Sequence, residues 1–116
     1  MGVPAAGTVV LIPFPFSDLS RSKLRPAIVL AAADRDDLIL CQVTSNPYAD
    51  ESAVELTSTD FDSGSLQRTS NARPGKLFTA NSTLIVGNPG LLKSATADRI
   101  IEAVVAILRG SQSRDE

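Results

Sequence analysis

The sequence predicts a mainly β domain: a small, strongly bent antiparallel sheet closing toward a partial barrel, with one helix at its C-terminal end. Three observations carry that reading. Uninterrupted β-branched runs dominate the first half of the chain, turn residues recur at close intervals, and a helical apolar period occurs only near the end. At 116 residues the chain suits one domain, whose core can be buried without disulfide or metal staples. Closing the sheet removes exposed edges that so small a domain has little else to cover.

Residues 8–12 (TVVLI) follow Gly7 and read as a buried strand. Pro13 and Pro15, which cannot donate to a ladder, are expected to limit its far end. A polar loop leads to residues 26–32 (PAIVLAA), the second strand. Residues 33–37 (ADRDD) make a turn, and residues 38–44 (LILCQVT) a third strand that forms a hairpin with the second. Asn46-Pro47 then breaks the chain. Residues 53–57 alternate briefly. Residues 59–66 fit a helical turn capped by Thr59 or Asp60 and stopped by Gly64. Residues 76–79 and 83–86 read as further short strands. The helix is expected to open at Ser94 as N-cap, with Asp98 in its first turn and Arg109 in its last, and to stop at Gly110. Its apolar face is Ile100, Ile101, Val104, Ile107 and Leu108. A single domain is expected over residues 1–110, with 111–116 a frayed tail.

Composition removes several kinds of chemistry. A lone Cys41 excludes an internal disulfide and a cysteine zinc site, and its apolar run predicts an inert buried thiol. The absence of histidine excludes His-led triads and the imidazole pair that many ribonucleases use as acid and base. No cofactor or metal is expected. The uncharged run 3–16 is broken by Gly7, Pro13 and Pro15, is too short to span a bilayer, and follows no basic segment. A cytoplasmic protein with no membrane partner is expected.

The net charge is −2, yet its distribution is uneven. Residues 17–25 (SDLSRSKLR) and 68–76 (RTSNARPGK) hold six of the eleven cations and a single acid, Asp18; residues 50–62 carry five acids and no cation. If the fold joins the two basic stretches, an acidic protein acquires a local positive field; otherwise they are ordinary solvated loops.

The string 7–18 (GTVVLIPFPFSD) followed by 23–30 (KLRPAIVL) resembles the start of the MazF/PemK toxins of toxin–antitoxin systems. Residues 42–45 (QVTS) and 70–79 (SNARPGKLFT) agree in order and spacing, so the resemblance runs from about Gly7 to Leu108. It implies an SH3-like, partly open barrel of the CcdB/PemK/MazF kind, forming a homodimer. It further implies a metal-independent, sequence-specific endoribonuclease acting on single-stranded RNA or mRNA. The neutralising partner would be a cognate antitoxin whose acidic C-terminal segment lies across the RNA groove.

Metal-free RNA cleavage requires a proton acceptor for the 2′-hydroxyl, charge stabilisation at the phosphorus and a proton for the leaving oxygen. Arg25, placed at the loop-to-strand junction, is the first candidate, because its planar fork of donors matches two phosphate oxygens. Thr44, at a strand end, can donate its hydroxyl to a phosphate oxygen, with Ser45 assisting. An arginine before a strand-starting proline is also at home as a surface residue, and threonine is common in strands for packing alone. Arg73 matches the arginine of the later family segment, for which phosphate binding is expected, and Lys76 adds positive field. Asp18, Arg21 and Lys23 lie in a first loop expected to order over RNA or antitoxin. Phe14 and Phe16 serve either as stacking platforms or in the core or dimer contact.

The chain departs from the family at Gly75, where some members carry an acid able to act as general base. Asp18, flanked by cations, stays ionised and is a weak acceptor. Two other readings therefore stand beside the endoribonuclease: an inactive module of the same fold that holds RNA or an antitoxin peptide, and a toxin directed at DNA gyrase.

Overall fold

The structure, a computed structural model, describes residues 3–15, 22–46 and 50–110. Its strands are β1 (Thr8–Pro15), β2 (Ser22–Asp34), β3 (Asp37–Thr44), β4 (Val54–Leu56), β5 (Phe61–Gly64), β6 (Ser70–Asn81) and β7 (Gly87–Leu92), followed by the helix α1 (Ser94–Arg109). All seven strands join one antiparallel sheet in the order β4-β6-β3-β2-β1-β7-β5. The two end strands, β4 and β5, are consecutive in the chain, linked only by Thr57 and a 3-10 turn, Ser58–Asp60. A link that short cannot bridge a flat seven-stranded sheet, whose edges stand roughly 29 Å apart at about 4.8 Å per strand spacing, so the sheet must curl. No ladder joins β4 to β5 among the described residues, and the barrel stays partly open. The predicted architecture is the one observed.

The inside of the curl is filled by Val9, Ile28, Cys41, Val43, Leu56 and Phe61, closed off by Ile100 and Val104 of α1. A second cluster, Val10, Ile12, Ala27, Val29, Leu38 and Leu40, lies on the other face of β1–β3, with Phe78, Ala80 and Ile85 packed on it. These three strands are buried on both faces, which is why their sequences run apolar without alternation.

Several boundaries differ from the sequence expectation. β1 continues through both prolines to Pro15, paired with β2 throughout. The Leu11 carbonyl accepts the Val86 N–H on the β7 side of the strand. Backbone polar groups alternate sides along a strand, so the nitrogens of Pro13 and Pro15 face that same side, beyond the last β7 pair at Leu11. The missing donors are therefore not needed. β2 begins at Ser22 and not at Pro26, so Arg25 sits within a strand, opposite Ile12, and not at its junction with the loop.

The expected helical turn over 59–66 is instead the 3-10 turn Ser58–Asp60 followed by β5, because Phe61 is buried and pairs with Leu92. The short strand at 76–79 is part of the twelve-residue β6. Residues 83–86 form no strand. Asn81 Oδ1 accepts both the backbone N–H (3.0 Å) and the hydroxyl (2.9 Å) of Thr83, closing a 3-10 turn at Ser82–Leu84. The strand comes later, over Gly87–Leu92, where the side chain of any larger residue at 90 would strike the Phe61 ring at 2.8 Å.

The helix starts at Ser94 with Lys93 as N-cap, because the Lys93 N–H donates to the Asp60 carbonyl (2.8 Å) and fixes the entry from outside the helix. Asp98 consequently falls beyond the first turn. Gly110 ends the helix in the left-handed region, φ 68°, as expected. The buried stripe is Thr96, Ile100 and Val104; Ile101 and Leu108 are exposed, the latter at 75%. No helix among the described residues is long and apolar enough to cross a membrane.

Candidate functional site

Strand pairing decides which of the sequence-predicted residues meet. The β2–β3 ladder ends at Ala27 opposite Gln42, and Arg25 and Thr44 each lie two residues beyond that pair. Thr44 in turn faces Asn71 on β6. Directly opposed residues share a face, so Thr44 and Asn71 stand side by side, and by alternation Arg25 lies on the face of its own strand that Ala27 shares with Gln42.

Arg25, Thr44 and Ser45 all line a cleft of about 580 Å3. Its apolar surface comes from Leu11, Leu24, Pro26, Val43, Leu66 and Pro89. Further polar groups come from Ser65, Gln67 and Arg68 on the segment between β5 and β6 and from Ser70, the first residue of β6. The charged residues among those lining it are Arg25 and Arg68, both cations. That segment is held at both ends: the Ser65 N–H donates to the Pro89 carbonyl (3.2 Å), and the buried Ser70 hydroxyl donates to the Arg68 carbonyl (3.1 Å).

Thr44 is chemically poised. Its Oγ1 accepts the Asn46 N–H at 3.1 Å, which occupies a lone pair and leaves the hydroxyl proton to be donated elsewhere. Thr44 thus offers a donor on the face it shares with Arg25.

Arg73 is not among the residues of the cleft. It lies opposite Gln42, on the same face as Thr44, and its Nε donates to Asp50 Oδ2 at 3.0 Å. Asp50 also accepts the Ser52 N–H (2.9 Å), and the Arg73 hydrogen bond holds its carboxyl below the usual carboxylate range. The positive charge of Lys76 adds a smaller lowering to the same carboxyl. Lys23 is exposed on β2, two residues before Arg25, and does not line the cleft. Asp18, Arg21 and Phe16 lie outside the described residues, as does the tail 111–116; Phe14 falls on β1. Arg68 and Asn71 were reachable from sequence only as members of a basic stretch, and Gln67 lay just outside it. Their place in the site comes from the loop after β5 and the β3–β6 register.

Cys41 is buried, and loss of water pushes its thiol up to about 12. Among the described residues no group of three or more His, Cys, Asp or Glu could hold a metal ion.

A curled seven-stranded antiparallel sheet closed by one C-terminal helix is the fold of the MazF toxins. Among solved structures, MazF from Deinococcus radiodurans matches with a TM-score of 0.72 at 18% identity, over 94% of this chain and 99% of that one. An endoribonuclease from a mycobacterial species, in complex with its cognate antitoxin, matches at 0.68 and 18% identity, over 95% of this chain and 96% of that one. The Mycobacterium tuberculosis toxin MazF-mt6 matches at 0.64 and 12% identity, over 86% and 96%. No family model matches the sequence, and no curated protein matches it.

Proposed function

We propose that this chain is the toxin component of a type II toxin–antitoxin system, a cytoplasmic, metal-independent endoribonuclease that cuts single-stranded RNA. The observation that supports the reading is that Arg25 of β2 and Thr44 of β3 line one cleft, whose charged lining residues among those described are both cations. In the reaction the 2′-oxygen attacks the adjacent phosphorus and the bond from phosphorus to the 5′-oxygen breaks. The products are a 2′,3′-cyclic phosphate and a 5′-hydroxyl. Arg25 neutralises the charge that builds on the phosphoryl oxygens, and the Thr44 hydroxyl donates to one of them. Ser45 adds a second hydroxyl, while Lys23, Arg73 and Lys76, outside the cleft, contact RNA or antitoxin, a role that Asp18 and Arg21 share. The domain, residues 1–110, works as a homodimer. An antitoxin with an acidic C-terminal segment is its partner; a structural neighbour occurs in complex with its cognate antitoxin.

Long RNA incubated with the protein in EDTA should yield fragments with cyclic phosphate ends. Arg25→Ala should cut about 100- to 1,000-fold more slowly, the usual effect of removing one transition-state donor. Equal rates would refute the assignment.

One observation favours a second reading. Among the described residues no carboxylate lines the cleft, so no acceptor for the 2′-proton stands there. An RNA-binding module without catalysis would bind RNA in a salt-sensitive manner and leave it intact in the same assay.

A further inference from the structure

Metal-free cleavage needs an acceptor for the 2′-proton, and no described carboxylate lines the cleft. The sheet carries one a short way along the same face. Thr44 of β3 is paired with Asn71 of β6, and Asn71 is paired on its other side with Glu55 of β4. Hydroxyl, amide and carboxylate therefore form one row across three neighbouring strands. Arg25 stands on the next strand, β2, and lines the cleft with Thr44. Across the sheet the order of groups is cation, hydroxyl, amide, carboxylate. In-line displacement sets the attacking 2′-oxygen and the leaving 5′-oxygen on opposite sides of the phosphorus. A phosphate held by Arg25 and Thr44 at one end of the row has room for its 2′-oxygen on the β4 side, where the carboxylate is. Two strand steps separate the Cβ atoms of Thr44 and Glu55 by about 10 Å. A bound phosphodiester fills part of that gap, and the two further carbons of the glutamate side chain close the rest.

Asp50 is a second carboxylate near this face, but its surroundings differ. Arg73 and the Ser52 N–H engage it, and it is held below the usual carboxylate range, which makes it a poor acceptor. Glu55 is exposed, and its side chain makes no hydrogen bond or ion pair among the described residues. Its oxygens are open to a substrate proton. The charged groups near it are of two sets. On the sheet face stands the Arg73–Asp50 pair, with Arg73 two residues along β6 from Asn71. Across a hollow of about 660 Å3 beside α1 stand Asp60, Asp98, Arg99 and Glu102.

We propose that Glu55 is the general base of the cleavage reaction. It takes the proton of the 2′-hydroxyl as the 2′-oxygen bonds to phosphorus. The bond from phosphorus to the 5′-oxygen breaks, and the 5′-oxygen takes a proton from water. Glu55 then returns its own proton to the hydroxide that remains. The inference rests on the endoribonuclease reading above and supplies the acceptor that reading requires.

The test compares single-turnover cleavage of a long RNA in EDTA by the native protein, Glu55→Gln and Glu55→Asp, from about pH 4 to about pH 9. The native rate should rise with pH and level off once the acceptor is ionised. Glu55→Gln should be about 100- to 10,000-fold slower at neutral pH. Its rate should climb about tenfold per pH unit with no plateau, since hydroxide must then take the proton. Its affinity for a 2′-O-methyl oligonucleotide, which has no attacking hydroxyl, should equal or exceed the native value, because a charge of the same sign as RNA is gone. Glu55→Asp should keep the plateau at a rate about 10- to 100-fold below native, its carboxylate being set back by one carbon. The assignment is overturned if Glu55→Gln cuts within about threefold of native, keeps the plateau, or loses rate and affinity by one factor. A native protein that leaves RNA intact at every pH refutes the endoribonuclease reading, and the assignment falls with it.

Discussion

Asp60 ties the open seam of the barrel to the helix. Its Oδ2 accepts the Thr57 N–H (2.8 Å) and the Thr57 hydroxyl (3.2 Å); its Oδ1 accepts the Thr96 hydroxyl (2.8 Å) and Arg99 Nη2 (3.3 Å). The carboxylate side chain is 18% exposed and Thr96 is 3% exposed, so most of these bonds are made away from water. Arg99 is 58% exposed and contributes little. The bonds to Thr57 N–H and Thr96 are each worth about 1.5–3 kcal/mol as hydrogen bonds to a charged group, and they share one carboxylate, so they do not simply add. Asp60→Ala should therefore lower the unfolding free energy by about 3–4 kcal/mol, a large part of the 5–15 kcal/mol typical of a domain. Asp60→Asn, which keeps the shape and one acceptor, should lose about 1–2 kcal/mol. Urea titration reads the change: at a slope of about 1–3 kcal/mol/M, the Ala variant shifts the midpoint by more than about 1 M. Adding Thr96→Val to Asp60→Ala should recover part of the loss, since it removes the hydroxyl that was left without a partner. Both single variants falling within about 0.5 kcal/mol of native would refute the reasoning, since that is the range of ordinary surface substitutions. The pH dependence has a definite sign. The Thr57 N–H, followed by the Thr96 and Thr57 hydroxyls, holds the Asp60 carboxyl below the usual carboxylate range. The stability it contributes is present above the unfolded value of about 3.9 and is lost as pH falls through the lower folded value, so Asp60→Asn should flatten the acid limb.

Three further outcomes are expected. Gly64→Ala should destabilise by more than about 1 kcal/mol, because φ is +67° there and an added Cβ would run into the Pro89 carbonyl oxygen; thermal melting checks it. Thr44→Ser should keep RNA cleavage within a few-fold of native, whereas Thr44→Val should lose about 100-fold with an unchanged melting temperature, because only serine retains the donor. Cys41 should resist iodoacetamide at pH 8 in the native state and react once unfolded, by mass spectrometry, since burial raises its thiol to about 12 and leaves roughly one molecule in ten thousand as thiolate.

Elements whose identity depends on local burial were readable from the sequence. The β2–β3 hairpin, the C-terminal helix and its stop at Gly110 all follow from apolar runs and turn residues. Elements fixed by distant partners were not. The stretch Gly87-Asn88-Pro89-Gly90 carries turn composition, yet it lies in β7 because Thr8, Val9 and Leu11 supply a ladder. Residues 61–64 leave helical geometry because Phe61 finds Leu92. The site divides in the same way. Arg25, Thr44 and Ser45 were visible in strand-end motifs, and the fold brings them to one cleft. Arg73 carries the same motif signal, but Asp50, 23 residues before it in sequence, engages its guanidinium beside the cleft. Arg68 lacked a motif of its own; what marks it is a loop position in the wall of the cleft.

The seam between β4 and β5 also divides the strands unevenly. On its N-terminal side β1, β2 and β3 can pair as a meander, but β4 pairs, among the described residues, with β6 on the other side. On its C-terminal side β5 and β7 pair alone, while β6 needs β3 and β7 needs β1. Neither half is a finished sheet, so completing it takes pairings distant in sequence, which slows folding. The cleft takes one wall from each half. The cleft therefore exists only once residues 65–70 and Pro89 have docked on β1, β2 and β3.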